Sequence, residues 1–186
     1  MTDFIEVYDN ALSSVDCNNI IKWVDNNPQH LVPYKKSLGV VGQRVKGLRF
    51  SDDKSWISEC IFKCIDVCLL RYTEKHPQLN DVCRWTLCDD INIQKYKPGE
   101  GYNILHAENI GPESIVGYSS KRMLVWMIYL NTVNKGGTYF DNYDRTLESI
   151  EGRCVIWPSY WTHFHKGIIC KTQTKYIATG WFMFAE

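Results

Sequence analysis

The sequence lacks most of what would set a 186-residue chain apart from an ordinary globular domain. No run approaches the roughly 18 consecutive apolar residues that a membrane span needs. The start, MTDFIEVYDN, has no basic region followed by an apolar stretch, so no secretory signal is read there. Charge of one sign is not in excess: Lys+Arg and Asp+Glu stand at 21 each, which gives no global reason to expect nucleic acid or a membrane as partner. There is no internal repeat, low-complexity tract or Pro/Ser-rich linker. The expectation is one cytoplasmic domain with a single buried core, in which the 8 cysteines are reduced thiols. Cys60, Cys64 and Cys68 fall on one helix face without a matching second pair, so they read as core packing, as do Cys83 and Cys88.

What is present divides into a helical front, residues 1–86, and a strand-rich back, residues 87–186. Phe4, Ile5 and Val7 suggest a short first strand. Ser13-Ser14-Val15-Asp16 has a capping-box spacing, and Ile20, Ile21 and Val24 continue at helical period until Pro28. A second helix runs from about Asp52 towards Pro77, with apolar positions from Trp56 to Cys68 recurring at three- and four-residue steps. Beyond Leu87, short β-rich runs are broken by Gly, Pro and Asn. The spacing predicts strands at Ile91–Tyr96, Tyr102–Glu108, Met123–Leu130, Thr138–Phe140, Cys154–Trp157, Thr162–His165 and Tyr176–Phe184. Such a pattern points to a mainly β fold, an antiparallel barrel or sandwich with N-terminal α-helices packed on one face. Trp126, Trp157, Trp161 and Trp181 are candidate barrel walls, His30 and His76 read as surface residues, and Gly136-Gly137 reads as a turn needing positive φ. Gln43–Arg49 reads as a solvated basic strand or loop bordering a groove.

Three separated elements carry chemistry. In Leu105-His106-Ala107-Glu108, side chains alternate if the segment is extended, so His106 and Glu108 can share one face and grip one ion. Far downstream, Trp157 to Gly167 contains His163 and His165, and one further imidazole completes a two-histidine, one-carboxylate set. That set covers one face of an octahedron and leaves three positions open, as non-haem iron(II) oxygenases require, although nitrogen and carboxylate ligands also suit zinc. The third element is Lys175, ten residues beyond His165 at the start of the last strand. A lysine entering an apolar barrel needs an anionic partner, because an unpaired desolvated ammonium is costly.

The ordered conjunction is His-x-Glu, Gly-Gly, His and a base ten residues on. It resembles the catalytic core of the 2-oxoglutarate/iron(II) dioxygenases, most of all the prolyl 4-hydroxylase branch. The matching residues are Tyr96-Lys97-Pro98-Gly99-Glu100-Gly101-Tyr102, His106-Ala107-Glu108, Tyr129-Leu130-Asn131, Gly136-Gly137-Thr138-Tyr139-Phe140, Gly152, Pro158, His165, Lys175 and Gly180-Trp181. The resemblance implies a double-stranded β-helix, or jelly-roll, core. It implies Fe(II) held by His106, Glu108 and His165, the ten-residue step to Lys175 favouring His165 over His163. Lys175 would anchor the distal carboxylate of 2-oxoglutarate, Tyr129 would donate to the same carboxylate, and Tyr96 would face the co-substrate or the substrate. It further implies O2 as oxidant, ascorbate as a candidate reductant, and hydroxylation of a prolyl residue in a peptide or protein with release of succinate and CO2. The family's usual carboxylate ligand is aspartate; here it is Glu108, one methylene longer. The rival readings are a non-catalytic, cupin-like metal-binding β-barrel and an oxygenase acting on a free amino acid or other small molecule.

Overall fold

The computed structural model describes residues 2–33, 40–49, 56–109 and 120–185. In chain order these form β1 (Glu6–Tyr8), α1 (Ser14–Asn26), β2 (Leu31–Pro33), β3 (Val40–Val41), β4 (Gln43–Arg49), α2 (Trp56–Lys75), β5 (Trp85–Leu87), β6 (Asp90–Tyr96), β7 (Gly101–Tyr102), β8 (Arg122–Tyr129), β9 (Val133–Phe140), β10 (Arg145–Ser149), β11 (Cys154–Pro158), β12 (His165–Gly167) and β13 (Lys175–Phe184). The large sheet runs β1-β11-β8-β13-β6-β4-β2, with β5 on the far end of β13, and the pairings are antiparallel. A small sheet, β10-β9-β12, lies apart from it, and β3 pairs β7 in a short ribbon.

The apolar runs are long because the large sheet is buried on both faces. On β8, Leu124, Trp126 and Ile128 join a cluster with Cys17, Ile20 and Val24 of α1 and Ile57, Ile61 and Ile65 of α2. Their neighbours Val125, Met127 and Tyr129 join Phe140 and Leu147 of the small sheet in a second cluster. Period-2 alternation thus sends one set towards the helices and the other between the sheets. The same parity on β13 puts Tyr176, Ala178 and Phe182 with the helices and Lys175, Ile177, Thr179 and Trp181 along the cavity between the sheets. Each fully buried isoleucine or valine of the helix-side cluster contributes roughly 1.5–3 kcal/mol.

Local signals hold the helices in place. Ser13 Oγ accepts from the Asp16 amide at 3.1 Å and donates to the Asp16 carboxylate at 2.7 Å, closing the N-terminus of α1. Tyr72 of α2 donates to the Phe4 carbonyl at 3.0 Å, and Glu6 takes Lys75 at 2.8 Å and His76 at 3.0 Å. His76 is therefore buried rather than on the surface; His30 is exposed.

Several expectations change. The front contributes β1 to β4 to the sheets as well as its helices, and Gln43–Arg49 is an inner strand of the large sheet, between β2 and β6. The start of the second helix before Trp56 lies outside the described residues. Gly136 and Gly137 lie inside β9, and the positive φ belongs to Lys135, at 56°. What Gly137 provides is space, since a Cβ there would lie 1.8 Å from the Leu147 carbonyl oxygen on β10. Trp161 is 70% exposed and Cys83 is exposed, so neither packs in the core. Among the described residues, no helix is long and apolar enough to cross a membrane.

Candidate active site

His106 and Glu108 do not sit on the regular strand expected over Tyr102–Glu108. β7 ends at Tyr102, and the chain rejoins the small sheet through a single antiparallel bridge between His106 and His165. The His106 amide donates to the His165 carbonyl at 3.0 Å, and the His165 amide returns the bond at 2.9 Å. The two imidazoles therefore start from directly opposed residues, and their ring centroids lie 4.4 Å apart. Each Nδ1 donates to the carbonyl two residues earlier, His106 to Ile104 at 2.8 Å and His165 to His163 at 2.9 Å. That use of Nδ1 turns both Nε2 atoms into the cavity.

Glu108 completes the group: its Oε1 lies 3.3 Å from His106 Nε2 and 3.8 Å from His165 Nε2. One donor atom from each of the three residues lies within 4.8 Å of the others. The other oxygen, Oε2, accepts from Arg122 Nη1 at 2.9 Å and Trp181 Nε1 at 3.0 Å. Burial pushes the Glu108 carboxyl up, but the His106 hydrogen bond and the charges of His106, His165 and Arg122 outweigh it and hold the carboxyl at about 2. Burial and the neighbouring His106 push His165 down to about 4, so in the metal-free protein it is a neutral imidazole.

The triad opens on a cavity of about 680 Å³ between the sheets, whose lining includes Tyr96, Tyr129 and Lys175 as well. Lys175 is 4% exposed. Its Nζ donates to the Gly136 carbonyl at 2.8 Å and the Ile168 carbonyl at 3.1 Å and lies 5.6 Å from the centre of the Tyr96 ring. Among the described residues it has no carboxylate partner, and burial pushes its ammonium down to about 8, with Cys170 opposing the shift. Tyr129 is fully buried, and its hydroxyl donates to Thr138 at 2.7 Å. Tyr96 pairs directly across from Lys175 on β6 and donates its hydroxyl to Gln94.

All six residues picked out by the sequence therefore line one cavity. His163 does not. Instead of sharing a strand face with His165, it ends a 3-10 turn, Trp161–His163, and its ring faces away towards the Asp3 carbonyl at 2.8 Å and Thr162 Oγ1 at 2.8 Å. Only its backbone carbonyl serves the site. Arg122 was not singled out by the sequence, although it heads an otherwise apolar strand. Trp181 was singled out as a wall residue and as part of the Gly180-Trp181 match; its indole N–H on Glu108 could not be read from spacing.

A family model, the 2OG-Fe(II) oxygenase superfamily, matches residues 91–183, half of the chain. This chain belongs to that superfamily. The oxygenase also shares its fold with solved structures of low sequence identity. The viral collagen prolyl hydroxylase of Paramecium bursaria Chlorella virus-1, in complex with 2OG, superposes with a TM-score of 0.75 at 17% identity, covering 98% of this chain and 97% of that one. A prolyl-4-hydroxylase of Pseudomonas putida gives 0.74 at 15% identity over 100% and 95%. A Trichoplax adhaerens prolyl hydroxylase in complex with a hypoxia-inducible-factor peptide gives 0.74 at 15% over 98% and 84%. No curated protein matches the oxygenase in sequence. The fold is thus the mainly β, curled-sheet architecture of these enzymes. The superfamily implies Fe(II) and 2-oxoglutarate, and the residues present fit both: two Nε2 atoms and one carboxylate oxygen converge, and a buried ammonium has no carboxylate partner among the described residues.

Proposed function

We propose that this oxygenase is an iron(II)- and 2-oxoglutarate-dependent dioxygenase that hydroxylates a C–H bond of a prolyl residue in a peptide or protein, releasing succinate and CO2. The observation that carries the reading is the meeting, in one cavity, of the His106–Glu108–His165 group and the buried Lys175 ammonium, which has no carboxylate partner among the described residues. Bound iron(II) and 2-oxoglutarate supply the oxidising chemistry. The chain's own residues bind, orient and exclude water. His106 Nε2, His165 Nε2 and Glu108 Oε1 hold the metal from one side. Lys175 holds the distal carboxylate, and Tyr129 reaches the same group if its hydroxyl turns from Thr138. Tyr96 covers Lys175 with its ring. Met127, Trp157 and Ile177 keep the inner wall apolar, so charges in the cavity act at low dielectric. Arg44, Asn92 and Gln94 also line the cavity and offer hydrogen-bonding groups suited to a polypeptide backbone.

Support for a prolyl substrate comes from the three prolyl hydroxylases above, one of them solved with its peptide. A second reading, a small-molecule substrate, is favoured by the likeness to SnoN, a non-haem alpha-ketoglutarate-dependent epimerase of nogalamycin biosynthesis, at a TM-score of 0.67 and 12% identity, covering 98% of this chain and 78% of that one. The test has two arms. Anaerobic addition of iron(II) and 2-oxoglutarate should produce a visible charge-transfer band that neither gives alone; no band would leave an inert metal-binding barrel. A library of proline-containing peptides, set beside free amino acids, should then show a 16-dalton gain on proline (one added oxygen) together with succinate. Turnover confined to the small molecules would move the assignment to the second reading.

A further inference from the structure

We propose that Arg122 and Trp181 are positioning residues that hold Glu108 one-armed, so that its Oε2 stays off the metal and three coordination positions stay open. The inference rests on the metal site proposed above and adds a role for two side chains outside it. A carboxylate beside a cation can bind through one oxygen or both. Glutamate, with an extra methylene, has the freedom to swing its second oxygen inward. Two imidazoles and one oxygen leave three positions of an octahedron free, whereas a chelating glutamate leaves two. A bidentate 2-oxo acid would then fill the site and leave no place for a diatomic gas.

The geometry works against that swing. Arg122 Nη1 bridges the Glu108 carboxylate at 2.9 Å and the Glu108 backbone carbonyl at 3.2 Å, so one nitrogen fixes the side chain relative to its own backbone. Trp181 Nε1 reaches the same Oε2 at 3.0 Å, from the cavity face of β13. The guanidinium lies 3.7 Å from the centre of the Trp181 ring, so the two donors brace each other. Arg122 is itself anchored: its carbonyl accepts from Ser159 Oγ at 2.6 Å and Asn109 Nδ2 at 2.9 Å, and the Ser159 carbonyl accepts the Glu108 and Asn109 amides at 3.0 and 2.9 Å. The clamp and the segment it clamps are thus tied to the same serine. Oε1, in contrast, meets only the two imidazole nitrogens among its described contacts.

Nitric oxide, a stable stand-in for a diatomic gas, counts the remaining position. Full-length protein loaded anaerobically with iron(II) and 2-oxoglutarate should take up nitric oxide and give the electron paramagnetic resonance signal of an iron nitrosyl. Trp181→Phe keeps an aromatic face beside Arg122 and removes the N–H together with the second ring of the indole; Arg122→Met removes the other donor. Both variants should bind manganese(II) and 2-oxoglutarate within about threefold of the parent and lose roughly tenfold in nitric oxide affinity, the scale of one hydrogen bond to a charged group. Arg122→Lys, which keeps a donor and the charge, should recover most of the loss. Nitric oxide binding at parent affinity in both variants would overturn the clamp. So would a parallel loss of manganese, which would mean that the donors only support the fold of the site. If the parent itself takes up no iron or 2-oxoglutarate, the metal-site reading fails first and the clamp falls with it.

Discussion

The two ends of the cavity face the same problem, a charge taken out of water, and solve it to different degrees. At one end Glu108 is surrounded by Arg122, Trp181 and two imidazoles, and stays ionised down to about 2 in spite of its burial. At the other end Lys175 has two backbone carbonyls and an aromatic face, and its ammonium is weakened to about 8. Burial acts on both, and what differs is whether the protein itself supplies the opposite charge. The carboxylate end is complete before any ligand arrives. Among the described residues the lysine end is short of one anion, and on the proposed reading that shortage would draw in a dicarboxylate.

If the two ends are separable in this way, substitutions should split between metal and co-substrate. The largest effect belongs to the triad: His106→Ala, Glu108→Ala and His165→Ala should each abolish succinate formation and weaken iron(II) binding. His163→Ala, whose ring points out of the cavity, should leave measurable turnover. A dead His163→Ala beside an active His165→Ala would reverse the ligand assignment. Next comes Lys175→Ala, which should weaken 2-oxoglutarate about 10- to 150-fold, since hydrogen bonds to charged groups contribute about 1.5–3 kcal/mol. Manganese(II) affinity without co-substrate should barely move. Calorimetry with manganese under anaerobic conditions reads both numbers, and an unchanged 2-oxoglutarate affinity would remove the lysine end from the account.

The pH dependence has two signs. The Lys175 pKa falls from 10.5 in a solvated chain to about 8 in the fold, so between those values the unfolded state holds a proton that the folded state has released. Stability contributed by this group therefore rises with pH across that window, the burial cost being fully present below about 8. Co-substrate binding goes the other way, because it needs the ammonium, and should weaken as pH climbs through about 8. Lys175→Met should flatten both slopes in calorimetry and thermal melts. The smallest effect is expected from Tyr129→Phe, about 0.5–1.5 kcal/mol in 2-oxoglutarate affinity. Its hydroxyl is already engaged by Thr138 and must exchange one partner for another.

The sequence was legible where periodicity and chemistry coincide. The apolar, β-rich runs of β8 and β13 predicted strands close to those observed, Arg122–Tyr129 and Lys175–Phe184, and the Ser13 cap marked the start of α1. The triad could be read because two imidazoles and a carboxylate are a rare combination with a demanding geometry. Irregular backbone could not. The approach of His106 by a single bridge, the 3-10 turn that carries His163 away and the positive φ at Lys135 depend on tertiary pairing that no local pattern encodes. Arg122 escaped for a related reason: its position leads an apolar run, and only the fold shows that its guanidinium turns back to Glu108.

The reciprocal backbone bonds between His106 and His165 also make the site its own gauge. Each of these two amide hydrogens is donated to the other residue's carbonyl, so neither can trade with solvent deuterium until the two imidazole-bearing segments part. Deuterium uptake at those two positions measures how often the two histidines separate, in the metal-free protein as in the loaded one. A slowing of both on addition of manganese(II) would report occupancy directly from the backbone, with no substrate in the tube.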